Sequence, residues 1–163
     1  MEAELLRFPH KKIRAAVIKE YMQECGYKKA VCFSCGNASK ALKDAGVDLL
    51  DMSPYGDMIA QRWFTPSEIM KWFPDSLDAT SGHLSIELMS KIGKAFKEYL
   101  GELPQVNYIP TGSGETITCL KMAYPDKEFV AVYNIDQATE YSEQATLNGL
   151  VQCMASNIIF ADK

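Results

Sequence analysis

Apolar residues recur every three to four positions in two long stretches of the chain. This spacing predicts amphipathic helices over residues 9–24 and 84–100. Pro9 opens the first stretch and Gly26 follows it, a pair typical of helix ends. Further helices are predicted from the SCGN turn to Gly46, from Pro66 onward behind Thr65, over residues 117–124 and over residues 138–155.

Short apolar runs alternate with these helices and predict strands. The runs lie at residues 29–33, 47–52, 105–110, 128–135 and 157–160. Such alternation is typical of an α/β fold, a mostly parallel sheet with helices on both faces. We therefore predict one α/β domain over residues 1–163, with a reduced, less regular subdomain at about residues 47–82. In such sheets ligands bind outside the carboxyl ends of the strands.

The composition is that of an ordinary globular protein and disfavours several classes. The 163 residues are 47% hydrophobic and 23% charged, and the net charge of −4 disfavours a nucleic-acid binder. No run reaches the ~18 apolar residues of a membrane span, and no secretory signal pattern opens the sequence. Five cysteines, an odd number, then indicate reduced thiols and a cytoplasmic location. With only two histidines, no metal site is expected.

The strongest local signal is a loop of glycine and hydroxyl residues between a predicted strand and a predicted helix. Residues 108–116 read YIPTGSGET. Glycines let backbone N–H groups turn toward an anion, and the following helix presents its positive end. The hydroxyls of Thr111, Ser113 and Thr116 add donors, so the loop suits a phosphate monoester. No GKS or GKT motif follows, and the alternative is an ordinary turn with a helix cap.

A second loop, SCGNAS at residues 34–39, also joins a strand to a helix. Its backbone amides could bind a carboxylate, and the Asn37 side chain could hydrogen-bond a polar substituent on the ring of a ligand. The alternative is that Asn or Ser here is only a helix N-cap. Cys32 and Cys35 also form a CxxC motif, which lowers a thiol pKa at a helix start and allows a redox interpretation. A cysteine on a short apolar strand is more often part of the core.

A third, basic segment, HKKIR at residues 10–14, opens the first predicted helix. A lysine forms a Schiff base when its pKa, ~10.4 unperturbed, is lowered by desolvation or by a nearby cation. Lys11 and Arg14 supply that cation next to Lys12. The alternative is a solvated basic turn, in which His10 is a plain first-turn residue.

Taken in order, these three segments resemble the fold-type II pyridoxal-phosphate (PLP) enzymes, the group of tryptophan synthase β, cysteine synthase and threonine synthase. That family shows a helix-opening lysine segment such as SFKDR, an S-S/T-G-N loop and a later glycine-rich phosphate loop. The matching stretches are PHKKIRA, GYKKAVCFSCGNASKAL and NYIPTGSGETITCLKMAYPDKEFVAVY. SGHLSIELMSKIGKAF is also similar to the helix that precedes the phosphate loop.

The resemblance implies the large domain of that family, with a reduced small domain and PLP as the cofactor. Lys12 is the implied Schiff-base lysine if Arg14 corresponds to the family arginine, and Lys11 is the alternative. The other implied positions are Ser34, Cys35 and Gly36 for the substrate carboxylate, Asn37 for the 3′ oxygen, and Gly112, Ser113, Gly114, Glu115 and Thr116 for the phosphate.

The activity implied is that of a lyase or transferase of amino-acid metabolism. Lysine would bind PLP, and its freed amine would take the Cα proton of a small amino acid during β-elimination or β-replacement. Two departures favour an alternative, a non-catalytic α/β module that binds a phosphorylated small molecule or partner. The chain is short, and Glu115 stands where the family usually has glycine. Its carboxylate would repel phosphate if it faced inward, and a residue other than glycine resists a positive φ. A third hypothesis is a CxxC oxidoreductase.

Four aromatic residues bear on partners beyond the small-molecule amino acid. If the small domain is reduced, an apolar surface is left exposed, and a second copy of the chain would bury it in a homo-oligomer. The residues of this surface are Trp63, Phe64, Trp72 and Phe73. The alternative is that these side chains fill the chain's own core. Neither nucleic acid nor a membrane is expected as a partner.

Overall fold

A computed structural model describes residues 3–33, 37–52, 61, 63–134 and 154–161. Five helices are present in this part of the chain: α1 (His10–Cys25), α2 (Asn37–Asp44), α3 (Pro66–Met70), α4 (Ile86–Leu100) and α5 (Glu115–Ala123). Its six strands are β1 (Lys29–Cys32), β2 (Leu49–Asp51), β3 (Ser76–Asp78), β4 (Val106–Pro110), β5 (Glu128–Asn134) and β6 (Asn157–Ala161). The helix expected at residues 138–155 lies almost entirely outside the described residues.

The strands form two parallel sheets. The first has the order β2-β1-β3 and the second the order β4-β5-β6. The predicted α/β class with parallel strands is confirmed, but the strands divide between two sheets where their alternation predicts one. The difference involves β3, whose three residues SLD carry no strand pattern and which pairs with β1 on the edge opposite to β2.

The helix ends follow the capping signals in the sequence. Thr65 accepts a hydrogen bond from the Glu68 N–H at 3.2 Å, and Pro66 stands at the first helical position of α3. Ser85 caps α4 in the same way through the Leu88 N–H. Side-chain oxygens at these positions satisfy N–H groups that have no partner inside the helix.

Strand β1 is buried on both faces and separates two parts of the core. Ala30 and Cys32 belong to a large cluster, to which α1, α4, α5 and β5 also contribute. Val31 and Phe33 point the other way and pack with Met52 in a smaller cluster. Because successive side chains of a strand alternate faces, this short apolar run is held in one register.

The aromatic residues of the middle segment divide between these environments. Phe64 and Phe73 pack against the smaller cluster, whereas Trp63 and Trp72 keep 64% and 49% of their surface exposed. The two exposed tryptophans are consistent with a homo-oligomer, which stays a prediction. Across the described ranges, no helix has the length and apolar character needed to cross a bilayer.

Candidate active site

A cleft of about 470 Å³ opens where the first residues of three helices meet. His10 and Lys11 of α1, Asn37 of α2, and Glu115 and its neighbours at the start of α5 border it. The carboxyl ends of β1 and β4 reach the same cleft, as expected for parallel strands. Each helix start carries partial positive charge from its unpaired N–H groups, so the three together favour an anion.

The loop between β4 and α5 forms one wall of the cleft. Gly114 caps α5 in a left-handed conformation with φ of 87°, which a side chain would strain. The Ser113 hydroxyl lies 2.8 Å from the Ser81 hydroxyl, and it also accepts a long hydrogen bond of 3.4 Å from the Glu115 N–H. Two hydroxyls that share one hydrogen bond leave one O–H free to donate to a ligand.

Glu115 is neutralised inside the protein by Arg14. The two residues are 6% and 5% exposed, and the Arg14 Nε donates to the Glu115 carboxylate. The second carboxylate oxygen accepts the Gly82 N–H at 2.7 Å, and Arg14 also donates to the Ala79 carbonyl at 2.7 Å. The charge of Glu115 is thus paired, which removes the repulsion that its carboxylate alone would exert on a phosphate.

The loop between β3 and α4 holds Ser81 in the cleft wall. Thr80 accepts the Phe33 N–H at 2.9 Å, and the Asp78 carboxylate accepts the Thr80 N–H at 3.0 Å. His83 lies 2.9 Å from the other Asp78 oxygen. Burial by itself would raise the pKa of Asp78, but the hydrogen bonds from His83 and Thr80 outweigh it and hold that pKa below its usual range.

We expect Asp78→Asn to lower the free energy of unfolding by about 1–3 kcal/mol at pH 7, because hydrogen bonds to a charged group are lost. A carboxyl group whose pKa is lowered on folding stabilises the folded state at pH values above its unfolded pKa of about 3.9. This stabilisation is lost as the pH falls through the folded pKa. Urea unfolding at pH 7 and below pH 3 measures this difference. Asp126→Asn, at a carboxylate whose side chain is 77% exposed, is the control and should differ little from wild type at either pH.

The structure separates the two candidate lysines. Lys11 is partly buried and borders both the cleft and an adjoining, more open depression, whereas Lys12 is exposed and borders the depression alone, with Lys40 and Asp44. Lys12 as the Schiff-base lysine stays a prediction. The geometry favours Lys11, the alternative given in the sequence analysis. Asn37 borders both spaces.

The other sequence-based candidates fall in different places. Gly112, Ser113, Glu115 and Thr116 border the cleft, and Gly114 caps the helix beside it. Ser34, Cys35 and Gly36, the predicted carboxylate loop, lie outside the described residues. Sequence reasoning missed Ser81 and left His10 as a first-turn residue. Their positions in the sequence could have indicated them, since Ser81 follows the end of a strand and His10 begins a helix.

The thiol of Cys119 in α5 has little thiolate character. Burial raises the pKa of Cys119 to about 12, and the neighbouring Glu115 charge adds to this effect while Arg14 opposes it. Cys32 is 3% exposed, and its CxxC partner Cys35 lies outside the described residues. The redox hypothesis therefore stays untested.

Known proteins resemble this chain in structure but not in sequence. No protein-family model and no curated protein matches the sequence. A crystal structure of a threonine deaminase from T.th. is similar, with a TM-score of 0.53, 16% identity, and coverage of 93% of this chain and 64% of that one. A structure of an ACC deaminase homologue is similar at a TM-score of 0.49 and 13% identity, over 93% of this chain and 61% of the other.

The likeness to threonine deaminase shows the fold alone: the chain shares the α/β fold of that structure. It extends over 93% of this sequence, while the sequence spans 64% of the deaminase's length. A shared fold leaves the chemistry to be argued from the site.

Proposed function

We propose that the cleft binds PLP and that the chain uses it on a small amino acid, by elimination or replacement at the β carbon. The observation that carries this proposal is the convergence on one cleft of the 111–115 loop, Lys11 and the starts of three helices. An anion cradle and an amine facing a common space are what a phosphorylated aldehyde requires.

The residues present fit the phosphate of PLP. The loop before α5 offers the Ser113 and Ser81 hydroxyl pair, and Thr111 and Thr116 border the same space. The Glu115 carboxylate is held by Arg14 and Gly82, so the cup carries no unpaired negative charge. The cleft volume of about 470 Å³ lies within the ~300–1,000 Å³ range of small-molecule sites.

The chain's own groups then have distinct tasks. When bound, PLP supplies an electron sink for the carbon that loses its proton. The Nζ of Lys11 would hold the cofactor and would be the base for the Cα proton of the substrate, with Lys12 as the alternative. Asn37, which borders the cleft, would hold the 3′ oxygen of the cofactor, and the 34–36 loop would receive the substrate carboxylate. The similar solved structure, named a threonine deaminase, supports an amino acid as the substrate class.

Absorbance of the purified chain with added PLP tests this proposal. We expect a new band at the edge of the visible, stable to dialysis and lost on treatment with hydroxylamine. The band should persist in Lys12→Ala and in the control Lys94→Ala, at an exposed lysine of α4, and should be absent in Lys11→Ala. If the band is lost in Lys12→Ala alone, Lys12 is the lysine that binds PLP. A wild-type chain that binds phosphate compounds without any band would indicate the non-catalytic module instead.

A further inference from the structure

His10 is held firmly in the cleft wall. It is the first residue of α1, precedes Lys11 and is partly buried. Its ring lies 5.5 Å from the Phe8 ring, which packs edge-on against the buried Phe96 at 4.8 Å. The imidazole is therefore anchored to the core through Phe8.

One hydrogen bond fixes which imidazole nitrogen carries the proton. The Nδ1 of His10 lies 3.3 Å from the Phe8 carbonyl oxygen. A carbonyl oxygen only accepts, so Nδ1 must be the donor, and a neutral ring then keeps a lone pair on Nε2. Among the described residues none is hydrogen-bonded to Nε2.

The charges around His10 favour this neutral form. Burial lowers the pKa of His10, and the neighbouring Lys11 charge lowers it further. The hydrogen bond to Phe8 and the Glu115 carboxylate oppose the effect without cancelling it, so the pKa lies below 6.5. His10 also borders the adjoining depression, together with Lys12 of the same helix and with Lys40 and Asp44 of α2, so two further cations and one carboxylate face that side of the ring. The ring is thus a free base at neutral pH.

We propose that the Nε2 of His10 is the proton acceptor that prepares an amine for reaction in this cleft. An amino acid arrives as an ammonium, which has no lone pair to react with an electrophilic carbon. Transfer of one ammonium proton to Nε2 gives a free amine and an imidazolium, and the imidazolium then returns its proton to water. The proposal rests on the proposed function for the ammonium and for the carbon with which the freed amine reacts. The arrangement of the base stands on the cofactor-free chain.

Nuclear magnetic resonance of the full chain without PLP tests the arrangement. Long-range proton–nitrogen correlations on nitrogen-15-labelled protein report the tautomer, and a pH titration follows each ring. The chain has only two histidines, so His83→Gln assigns the signals. We expect His10 to carry its proton on Nδ1 and to titrate below pH 6.5. A proton on Nε2 of the neutral His10 ring overturns the proposal, whatever the outcome with PLP.

A kinetic test addresses the transfer itself. His10→Asn keeps an N–H to meet the Phe8 carbonyl but removes the base. With PLP-loaded protein and L-serine, we expect the absorbance change to be about a hundredfold slower at pH 7. This deficit should shrink as pH rises and the amino acid loses its own proton. A deficit that does not change with pH, or no deficit, contradicts the proposal. Absence of a PLP band in wild type counts against the proposed function, not against the tautomer result.

Discussion

Replacing Glu115 with alanine should lower the free energy of unfolding by about 3–5 kcal/mol, because it leaves the Arg14 guanidinium buried without its counter-charge. Arg14 is 5% exposed, and beyond Glu115 its described acceptor is the Ala79 carbonyl. The substitution also removes the acceptor of the Gly82 N–H. A domain commonly has only ~5–15 kcal/mol of net stability, so this single change should remove much of it. Urea unfolding followed by circular dichroism measures the loss.

Two variants make this prediction specific to the ion pair. Glu87→Ala removes an exposed glutamate from the first turn of α4 and should cost about 0.5 kcal/mol or less. Arg14→Met combined with Glu115→Leu removes both charges and should recover most of the stability. If Glu115→Ala unfolds at the same urea concentration as Glu87→Ala, the pair does not join α1 to α5 as described.

Gly93→Ala should also destabilise the chain strongly, because α4 and α5 meet at this position. A Cβ on Gly93 would overlap the Cys119 carbonyl oxygen and lie 3.5 Å from the Ala123 side chain. Alanine gains about 1 kcal/mol of helix propensity over glycine, yet backbone cannot move aside as a side chain does. We expect a net loss of about 2 kcal/mol or more, read as a fall of about 5 °C in Tm.

The control for this prediction is a glycine with open space around it. A Cβ on Gly112 would meet nothing within 4 Å, and its φ is not in the left-handed range. Gly112→Ala should therefore change Tm by no more than about 2 °C. Equal Tm values for Gly93→Ala and wild type would mean that the two helices are not in close contact at Gly93.

Local signals in the sequence were sufficient for most elements of the fold. The apolar spacing that predicts α1 and α4 and the Thr65 cap of α3 each lie within or next to the helix concerned. Strand β3 was missed because SLD has no apolar alternation, and its pairing with β1 depends on residues far away in the chain. The division into two sheets follows from such long-range pairing.

The candidate site shows the same limit. The YIPTGSGET loop was recognisable because its glycines and hydroxyls are contiguous. The neutralisation of Glu115 was not, since its partner Arg14 lies 101 residues away. Whether Lys11 or Lys12 reaches the cleft depends on the rotation of α1 about its axis. That rotation is set by the burial of Arg14, Ala15 and Ile18, not by the basic residues themselves.

Peptide mapping after borohydride reduction of the chain with PLP tests the central claim most directly. The claim is that an anion cup before α5 and a lysine of α1 face one ligand. It predicts one modified lysine, Lys11, with labelling reduced by inorganic phosphate that competes for the cup. Labelling spread over exposed lysines such as Lys94, and unaffected by phosphate, would contradict it.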